Sequence, residues 1–385
     1  MKICFVIPSL EGGGAERVAV TVLSALDGAR HDRMLYLFSA DGVYFDRVAE
    51  GVRVVIAQKR SWTGRLLEFA RFLRSERPDV VMPFLSYFIT ALAVWIARVP
   101  ARVVFNQGTP TTGFLDDPDF SWRTPWRRWL FAALTRLFYG RADAVVVTSE
   151  GVAADLVENY RVPRAKIRVL HNPVDIDAIQ HALGQPIEGV DPSHDRPAVA
   201  AAGRLATVKN YPLLIDAIAE LASASAPLEG RPTKAPNGPP TVHAWILGDG
   251  VERERLEQLA ASRGVAGLVR FLGFQKNPWR FIARADVFVL TSTYEGFGNV
   301  LIEAMACGTP VIATRSPGTV EIIEHESNGL LVDHEPGAVA GAISRVLGDA
   351  TLRARLVARA KESVGQYATP LVADRYDRLF RELVA

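Results

Sequence analysis

The sequence lacks most features that mark secreted, disulfide-bonded or nucleic-acid-binding proteins. Its 385 residues include only two cysteines, Cys4 and Cys307, and both lie inside apolar runs. This scarcity argues against a disulfide framework and fits a reducing compartment. The net charge is only +2, so the charge balance gives no indication of a nucleic-acid partner. The opening MKICFVIPSLEGGG has one lysine and a short apolar run, which does not fit a signal peptide.

Long uncharged hydrophobic runs are also scarce. Residues 80–97 carry no charge, but Pro83 and Ser86 divide them into two shorter pieces. A helix needs about 20 apolar residues to span a bilayer. We therefore expect a buried strand followed by a buried helix here, rather than a membrane span.

What the sequence does have is an alternation of short apolar runs with helical patterns. The alternation restarts near Asn172-Pro173, which is a turn signal. Buried strands separated by helices predict parallel sheets covered on both faces. The expected fold class is α/β, with two Rossmann-like doubly wound domains that face each other across a cleft, residues 1–170 and 171–368. Residues 223–240 are rich in Pro, Gly and Ala and are expected to form a surface insertion in the second domain.

Three consecutive glycines, Gly12 to Gly14, follow the first predicted strand and precede the first predicted helix. Glycines let the backbone approach a ligand, and a helix N-terminus offers free N–H groups to a phosphate. The run is neither a GxGxxG motif nor a Walker loop, which makes a dehydrogenase improbable. A phosphate contact and a simple flexible turn both remain open for this loop.

Two cations, Arg204 and Lys209, lie five positions apart in the loop after the first strand of the second domain. Arginine can bind a diphosphate as a fork and lysine as a point charge. The alternative is a pair of solvated surface cations, and for the pair alone that alternative is favoured.

The stretch TYEGFGNVLIEAMACGTPVIAT, residues 293–314, carries Glu295 and Glu303 eight positions apart. A helix is expected to begin at Gly298-Asn299 and to end at Gly308, so its first N–H groups would face an anion. Carboxylates bind ribose and sugar hydroxyls well, because they only accept hydrogen bonds. Glu303 lies within an apolar run, which disfavours a simple surface position.

Together these motifs resemble the retaining glycosyltransferases of family four, which have the GT-B fold. The stretch EGFGNVLIE, residues 295–303, matches the E-x7-E motif of that family. GGGAERV resembles its glycine loop, GRLATVKN its Arg/Lys phosphate clamp and HNPVD its interdomain hinge. The resemblance runs from residue 12 to about residue 321 and implies that the helix at 369–385 packs back on the first domain.

The resemblance implies transfer of a hexose or N-acetylhexosamine, with retained configuration, from a nucleotide diphosphate sugar, UDP favoured. The acceptor would be a glycan or a polyprenyl-linked glycan, and neither a cofactor nor a metal is expected. Glu303 would bind the ribose and Glu295 the sugar ring. The catalytic residues would be Glu295, Arg204 and Lys209, and the donor-binding residues Gly13, Gly14, Gln107, Gly273, Phe274, Phe297, Gly298, Asn299, Val300 and Glu303.

The sequence departs from the family in one loop and contains two acidic motifs that raise the question of a metal. Many family members have a histidine where this chain has Asn106-Gln107, which puts the first-domain contact to the sugar in doubt. Gln107 could still bond a sugar hydroxyl, but it cannot titrate near neutral pH. The Asp-x-Asp spacings in DDPD (116–119) and DID (175–177) are interpreted as loop acids rather than metal ligands.

The segment 122–141 combines tryptophans at helical spacing with five arginines and no acid. Such a helix can lie on an anionic membrane surface, and a core-packed helix with a basic outer face is the alternative. The resemblance favours the membrane, which would place the enzyme in the cytoplasm at the inner face of the cytoplasmic membrane. Two other functions stay open: a nucleotide-sugar enzyme of the epimerase type that transfers nothing, and a catalytically degenerate nucleotide-sugar-binding protein.

Overall fold

The computed structural model describes residues 1–116, 124–185, 197–225 and 242–385. The described chain forms two compact units. The first contains residues 1–116, 124–175 and 366–385, and the second contains residues 176–185, 197–225 and 242–365. The chain changes units after residue 175 and returns to the first unit at residue 366, a few residues from the expected boundaries at 170 and 368.

The described elements alternate between strands and helices along most of the chain. The strands are β1 (Lys2–Ile7), β2 (Asp32–Leu37), β3 (Val52–Ile56), β4 (Val80–Pro83), β5 (Arg102–Gln107), β6 (Ala144–Val147), β7 (Ile167–Val169), β8 (Ala198–Ala202), β9 (His243–Leu247), β10 (Val269–Gly273), β11 (Val287–Leu290), β12 (Val311–Thr314) and β13 (Leu330–Val332). The helices are α1 (Gly14–Ala25), α2 (Trp62–Glu76), α3 (Tyr87–Ala97), α4 (Thr111–Asp116), α5 (Pro125–Tyr139), α6 (Glu150–Tyr160), α7 (Ile176–Leu183), α8 (Tyr211–Ser225), α9 (Arg253–Ser262), α10 (Trp279–Ile282), α11 (Asn299–Cys307), α12 (Thr319–Ile322), α13 (Pro336–Gly348), α14 (Ala350–Val364) and α15 (Thr369–Val384).

The first unit is built on a seven-stranded parallel sheet in the order β3-β2-β1-β4-β5-β6-β7. Successive side chains of a strand point to opposite faces, and β1 is buried on both of them. Phe5 joins a core with residues of α1 and α15, whereas Val6 joins a core with residues of α2 and α3. Helices cover both faces of the sheet, and this burial explains the near-continuous apolar runs of its strands, as expected.

The second unit is built on a six-stranded parallel sheet in the order β10-β9-β8-β11-β12-β13. Its strands are as fully buried as those of the first unit, and β8 is buried along its whole length. Both units have the doubly wound Rossmann-like topology, in which the order of the strands reverses between two central strands, at the chain reversal. The reversal lies between β1 and β4 in the first unit and between β8 and β11 in the second. Ligands in such sheets bind at this point, outside the carboxyl ends of the strands.

The last helix, α15, belongs to the first unit and completes its core. Phe380 of α15 packs edge-on against Phe5 of β1, with ring centroids 6.3 Å apart. Asp377 accepts a hydrogen bond of 2.8 Å from Nε2 of the buried His31. Val174 and Ala368 also form a backbone bridge, so the segment leaving the first unit pairs with the segment that re-enters it.

Residues 80–97 form a strand and a helix, as expected, but the helix is not buried all round. α3 buries Thr90, Ala93 and Ala97, whereas 76% of Trp95 is exposed. The other apolar side chains of α3 are half-buried, and Ile89, Leu92, Val94 and Ile96 pack against the core that α3 shares with α2. The expectation of a buried helix is therefore wrong only at Trp95. No helix in the described part of the chain is both long and apolar enough to cross a membrane. The expected insertion lies largely outside the described residues, at 226–240.

Candidate functional site

The two charges that the sequence placed in separate loops meet in the second unit. Lys209 Nζ lies 2.5 Å from Glu295 Oε1. Ser292 Oγ donates a second hydrogen bond, of 2.7 Å, to the same carboxylate oxygen. Both side chains of the pair are mostly shielded from solvent, with 21% of Lys209 and 12% of Glu295 exposed. The pair lies at the chain reversal of the sheet, because Lys209 follows β8 and Glu295 follows β11.

Hydrogen bonds between the two loops hold this pair in place. Thr291 Oγ1 donates to the carbonyl of Lys209 at 3.1 Å, and Thr293 donates from both its backbone and its hydroxyl to the carbonyl of Val208. Thr314, at the end of β12, donates to the carbonyl of Ser292 at 2.8 Å. The loop that carries Glu295 is therefore bonded both to the loop that carries Lys209 and to the next strand.

A close contact between backbones shapes the loop after β8. Gly203 has φ +150, Gly248 has φ +140, and a Cβ built on Gly248 would lie 2.0 Å from the carbonyl oxygen of Gly203. Only glycine fits at Gly248, since its neighbour there is backbone and cannot move aside. Tyr211 donates to that same carbonyl at 3.1 Å. Burial, and secondarily the charge of Glu295, raise the pKa of the Tyr211 phenol, so it remains a donor.

Arg204 lies in the same loop as Lys209, but its side chain is exposed. Among the described residues it makes no ion pair, whereas Lys209 is paired with Glu295. Arg204 is therefore the cation of this loop whose guanidinium faces solvent. A guanidinium is well suited to bind a diphosphate as a fork.

The helix after Glu295 begins and ends as the sequence predicted. Gly298 caps the start of α11 with φ +78, and Gly308 caps its end with φ +80. Asn299 and Val300 form its first turn, and Phe297 is buried before it. Gly318 packs so closely that a Cβ on it would lie 2.7 Å from Phe297 Cα. The N-terminus of α11 thus follows Glu295 closely in sequence. The packing of Gly318 on Phe297 fixes the residues between them.

Glu303 is buried within α11, with 4% of its surface exposed. Its Oε2 accepts a hydrogen bond of 2.8 Å from the indole Nε1 of Trp279. The interpretation of Glu303 as a simple surface residue is therefore wrong. No sequence motif indicated Trp279, because it lies 24 residues from Glu303 in a short helix of its own, α10.

Gly273 and Phe274, two of the expected donor-binding residues, lie at one edge of the second sheet. Gly273 is the last residue of β10 and has φ +68, and Phe274, which follows it, is 56% exposed. β10 is an edge strand and is separated from β8 by β9. Gly248 donates a backbone hydrogen bond of 2.8 Å to the carbonyl of Gly273, which links the loops after β9 and β10.

In the first unit the glycine loop has the predicted place between β1 and α1. Gly13 is the N-cap of α1, Gly14 is its first residue, and both are exposed. Tyr44 donates to the carbonyl of Gly12 at 3.2 Å, and a backbone bridge between Leu10 and Gly42 holds the preceding residues. The loop is therefore anchored at Leu10 and Gly12, while Gly13 and Gly14 remain accessible.

Gln107, at the end of β5, is buried and bonded at both ends of its amide. Tyr139 Oη donates to Gln107 Oε1 at 2.6 Å, and Gln107 Nε2 donates to the carbonyl of Thr109 at 2.5 Å. The side chain thus links α5 to the loop after β5. Its place at the carboxyl end of a strand agrees with a position near a ligand, but its present partners are protein groups.

Of the two acidic motifs, only DID (175–177) lies among the side chains that the structure describes. No group of three His, Cys, Asp or Glu side chains there could hold a metal ion. Asp175 is exposed at the unit boundary and Asp177 is exposed in α7. The side chain of Asp116 and residues Asp117 and Asp119 lie outside the described residues.

The tryptophan-rich helix α5 turns its apolar stripe outward. Trp126 is 62% exposed and Trp129 is 72% exposed, and Leu137 lies on the exposed side as well. The opposite side of α5 packs through Phe131 and Phe138 onto Phe88 of α3. The core-packed alternative is therefore wrong for this stripe. Trp122 and Arg123 lie outside the described residues.

Comparisons with known proteins agree with this architecture. The sequence model described as glycosyl transferases group 1 matches residues 187–363, and the model described as glycosyltransferase family 4 matches residues 12–178. The lipopolysaccharide core biosynthesis glycosyltransferase LpsE of Rhizobium meliloti (strain 1021) is 36% identical over 382 residues, which cover 95% of each chain.

Two further similarities extend over nearly the whole chain. The N-acetylgalactosamine-N,N'-diacetylbacillosaminyl-diphospho-undecaprenol 4-alpha-N-acetylgalactosaminyltransferase of Campylobacter jejuni is 27% identical, covering 94% of each chain. The crystal structure of Anabaena Alr3699/HepE in complex with UDP-glucose has the same fold, with a TM-score of 0.77, 22% identity and coverage of 99% of this chain and 100% of that one. The chain therefore belongs to glycosyltransferase family 4, and it is a glycosyltransferase of the GT-B fold.

Proposed function

We propose that this glycosyltransferase moves a hexose or N-acetylhexosamine from a UDP-sugar to a lipid-linked or lipopolysaccharide glycan, with retention of the anomeric configuration. The family and the fold support the reaction class. The relatives support the acceptor, since one acts in lipopolysaccharide core biosynthesis and another on a diphospho-undecaprenol glycan. The UDP-glucose in the Anabaena complex supports the donor.

The main support for a donor site is the contact between Lys209 and Glu295 at the chain reversal of the second sheet. A diphosphate brought to this point would attract Lys209 and the exposed Arg204. Glu295 would then be relieved of its lysine and could accept hydrogen bonds from the hydroxyls of the donor sugar. The ion pair thus keeps both charges partnered until the donor arrives.

Transfer breaks the bond between the anomeric carbon and the β-phosphate oxygen, and negative charge develops on the departing UDP. Lys209, Arg204 and the first N–H groups of α11 would stabilise that charge without moving far, because their loops are fixed by hydrogen bonds. The acceptor oxygen forms the new bond to the anomeric carbon on the face that UDP leaves, and its proton passes to a phosphate oxygen of the departing UDP. Glu295 would orient the sugar ring for this attack, and the exposed backbone at Gly13 and Gly14 would be available to a phosphate.

The outward apolar stripe supports a peripheral contact with an anionic membrane. Trp126 and Trp129 on α5 and Trp95 on the adjacent α3 are all more than half exposed. Arg127 and Arg136 on α5 are exposed as well, and no acid lies on this helix. Exposed tryptophans beside arginines bind the interface of anionic bilayers, and a lipid-linked acceptor lies at that interface.

The donor is tested by thermal unfolding of the purified protein with UDP, GDP, their sugars and inorganic diphosphate. We expect UDP and one UDP-sugar to raise Tm by several degrees at about 100 times their Kd, since binding to the native state alone stabilises it by about 2.7 kcal/mol there. The responding sugar is then assayed for UDP release with a lipid-linked acceptor, and the anomeric configuration of the product is read by NMR.

Glu295→Gln separates binding from chemistry in the same assays. The amide keeps the size of the side chain but loses the charge, so we expect UDP to bind and sugar transfer to fall about 100-fold. If no nucleotide shifts the Tm of the wild-type protein, that result would contradict the donor site. Binding without UDP release would favour a nucleotide-sugar-binding protein instead.

The membrane contact is tested by cosedimentation with vesicles of phosphatidylglycerol or phosphatidylcholine. We expect binding to the anionic vesicles only, and about tenfold weaker binding of Trp126→Ala/Trp129→Ala, because each tryptophan buries a large apolar area. Trp62→Ala is the matched control, since Trp62 is 56% exposed in the same unit but lies on α2. Equal loss in both variants would contradict a contact through α5.

A further inference from the structure

The hydrogen bond between Trp279 and Glu303 is unusual because both partners are buried. Trp279 is 8% exposed and Glu303 is 4% exposed. A carboxylate loses its hydration on burial, and this costs free energy unless hydrogen-bond donors replace the water. The 2.8 Å bond from the indole supplies such a donor. An indole N–H can only donate, so Trp279 cannot turn its polar atom to another role while Glu303 stays in place.

The short helix that carries Trp279 is fastened to the helix that carries Glu303. Thr309 Oγ1, just after α11, donates to the carbonyl of Ile282 in α10 at 2.8 Å, and both groups are buried. Cys307 Sγ lies 3.8 Å from the carbonyl of Trp279. These contacts, at the first and last residues of α10, therefore hold the indole beside Glu303.

Cys307, in the same helix as Glu303, is half-buried and senses the charge of that carboxylate. Burial, and secondarily the charge of Glu303, raise the pKa of the Cys307 thiol to about 12. At neutral pH the cysteine is thus a neutral neighbour and does not compete as an anion for the indole N–H. Among these three side chains, the Glu303 carboxylate is therefore the acceptor of the Trp279 N–H.

We propose that Trp279 is a positioning residue that fixes the carboxylate of Glu303 for the ribose hydroxyls of the donor nucleotide. This rests on the proposed function, in which Glu303 binds the ribose. The indole holds Oε2 and so sets the rotation of the carboxylate about its last bond. A carboxylate in a set orientation accepts from two adjacent hydroxyls at a lower entropic cost than one that rotates freely.

The test is Trp279→Phe, which keeps an aromatic ring in the cavity and removes the N–H. We expect the Kd for UDP, measured by calorimetry, to rise about tenfold, as for loss of a hydrogen bond to a charged group. The KM for the UDP-sugar should rise by a similar factor while kcat changes less than threefold. The Kd for 2′,3′-dideoxy-UDP, which has no ribose hydroxyls, should not change.

Two further variants separate positioning from packing. In a Glu303→Ala background the Trp279→Phe change should no longer affect the Kd for UDP, since the indole acts through the carboxylate. Placing 3-benzothienylalanine at position 279 by codon suppression replaces the N–H with sulfur at nearly unchanged size. It should reproduce the loss of UDP affinity even if Trp279→Phe is too unstable to purify.

The outcomes distinguish this role from the proposed function. If the wild type binds UDP and 3-benzothienylalanine at 279 leaves the Kd unchanged, Trp279 does not position the carboxylate and the donor site stands. Equal losses for UDP and 2′,3′-dideoxy-UDP would make Trp279 a packing residue and overturn the inference. If the wild type binds no UDP, the proposed function itself fails first.

Discussion

The two units share one strand order but end in different chemistry. At the chain reversal of the first unit, the loop after β1 offers the exposed backbone of Gly13 and Gly14. At the chain reversal of the second unit, the loops after β8 and β11 bring Lys209 and Glu295 to 2.5 Å. The chain reversal of the first unit thus has accessible backbone, whereas that of the second unit has paired charges and an exposed arginine.

This difference teaches that the fold provides the place and the loop residues provide the chemistry. Parallel strands carry the loops of either unit to the same kind of edge, whatever residues those loops contain. In the second unit, Lys209 and Arg204 are side chains there that can bind an anion strongly, and Glu295 can respond to its charge. We therefore expect the donor to depend far more on side chains of the second unit than on those of the first.

The largest effect is expected from Lys209→Ala in the second unit. Removing this cation leaves Glu295 without its ion pair and removes a group that stabilises the departing diphosphate. We expect kcat to fall about 100- to 1,000-fold, as when one preorganised donor is removed from an active site. Steady-state UDP release with the assigned UDP-sugar measures the loss.

Lys361→Ala is the matched control for that variant, because Lys361 is an exposed lysine of the same unit on α14. It should retain wild-type kcat and Tm. If both lysine variants lost activity equally, a general loss of positive charge would explain the effect, and the contrast between the two units would disappear.

An intermediate effect is expected from Gly14→Ala in the first unit. A Cβ at Gly14 would meet no atom within 4 Å, and the residue opens a helix, so we expect the Tm to stay within about 2 °C. A methyl group would nevertheless keep a diphosphate away from the backbone N–H groups, and kcat/KM should fall about tenfold. The change is measured with saturating acceptor and varied donor.

Gly341→Ala tests whether any added methyl group would do the same. Gly341 lies in α13 of the second unit, where a Cβ would also meet nothing within 4 Å. Its activity should be unchanged. Full activity of Gly14→Ala would show instead that the glycine loop is a turn without a ligand.

The smallest effect on the reaction is expected from Gln107→Ala. The change removes the partners of Tyr139 Oη and of the carbonyl of Thr109, so the free energy of unfolding should fall by about 1–3 kcal/mol. Denaturation by urea measures this loss, and we expect the KM for the donor to rise less than threefold. An unchanged stability with a much higher KM would assign Gln107 to the sugar instead.

The local features of the site could be predicted from the sequence, because they depend on signals close together in the chain. Gly298 and Gly308 fix the ends of α11 through their left-handed conformations, which few other residues adopt. The order of strands and helices followed from apolar runs and their spacing in the same way. For this reason the helix that carries Glu303 was predicted to within a residue.

The pairings of the site could not be predicted in this way, because they join distant parts of the chain. Lys209 and Glu295 are 86 residues apart, and the approach of Gly248 to Gly203 depends on the packing of two loops. No periodicity indicates such contacts. The exposure of Trp95 on α3 was missed for a related reason, since an apolar helix has the same sequence pattern whether an outer side chain meets protein or solvent.

The return of the chain to the first unit has a consequence for synthesis on the ribosome. The second unit draws its described residues from one uninterrupted stretch of the chain, between residues 176 and 365, whereas the first unit needs α15 from beyond that stretch. Tyr376 and Phe380 of α15 are completely buried in the core of the first unit. Although its strands emerge first, the first unit can complete its core only after the second has been translated, in a reversal of the usual order in which domains mature.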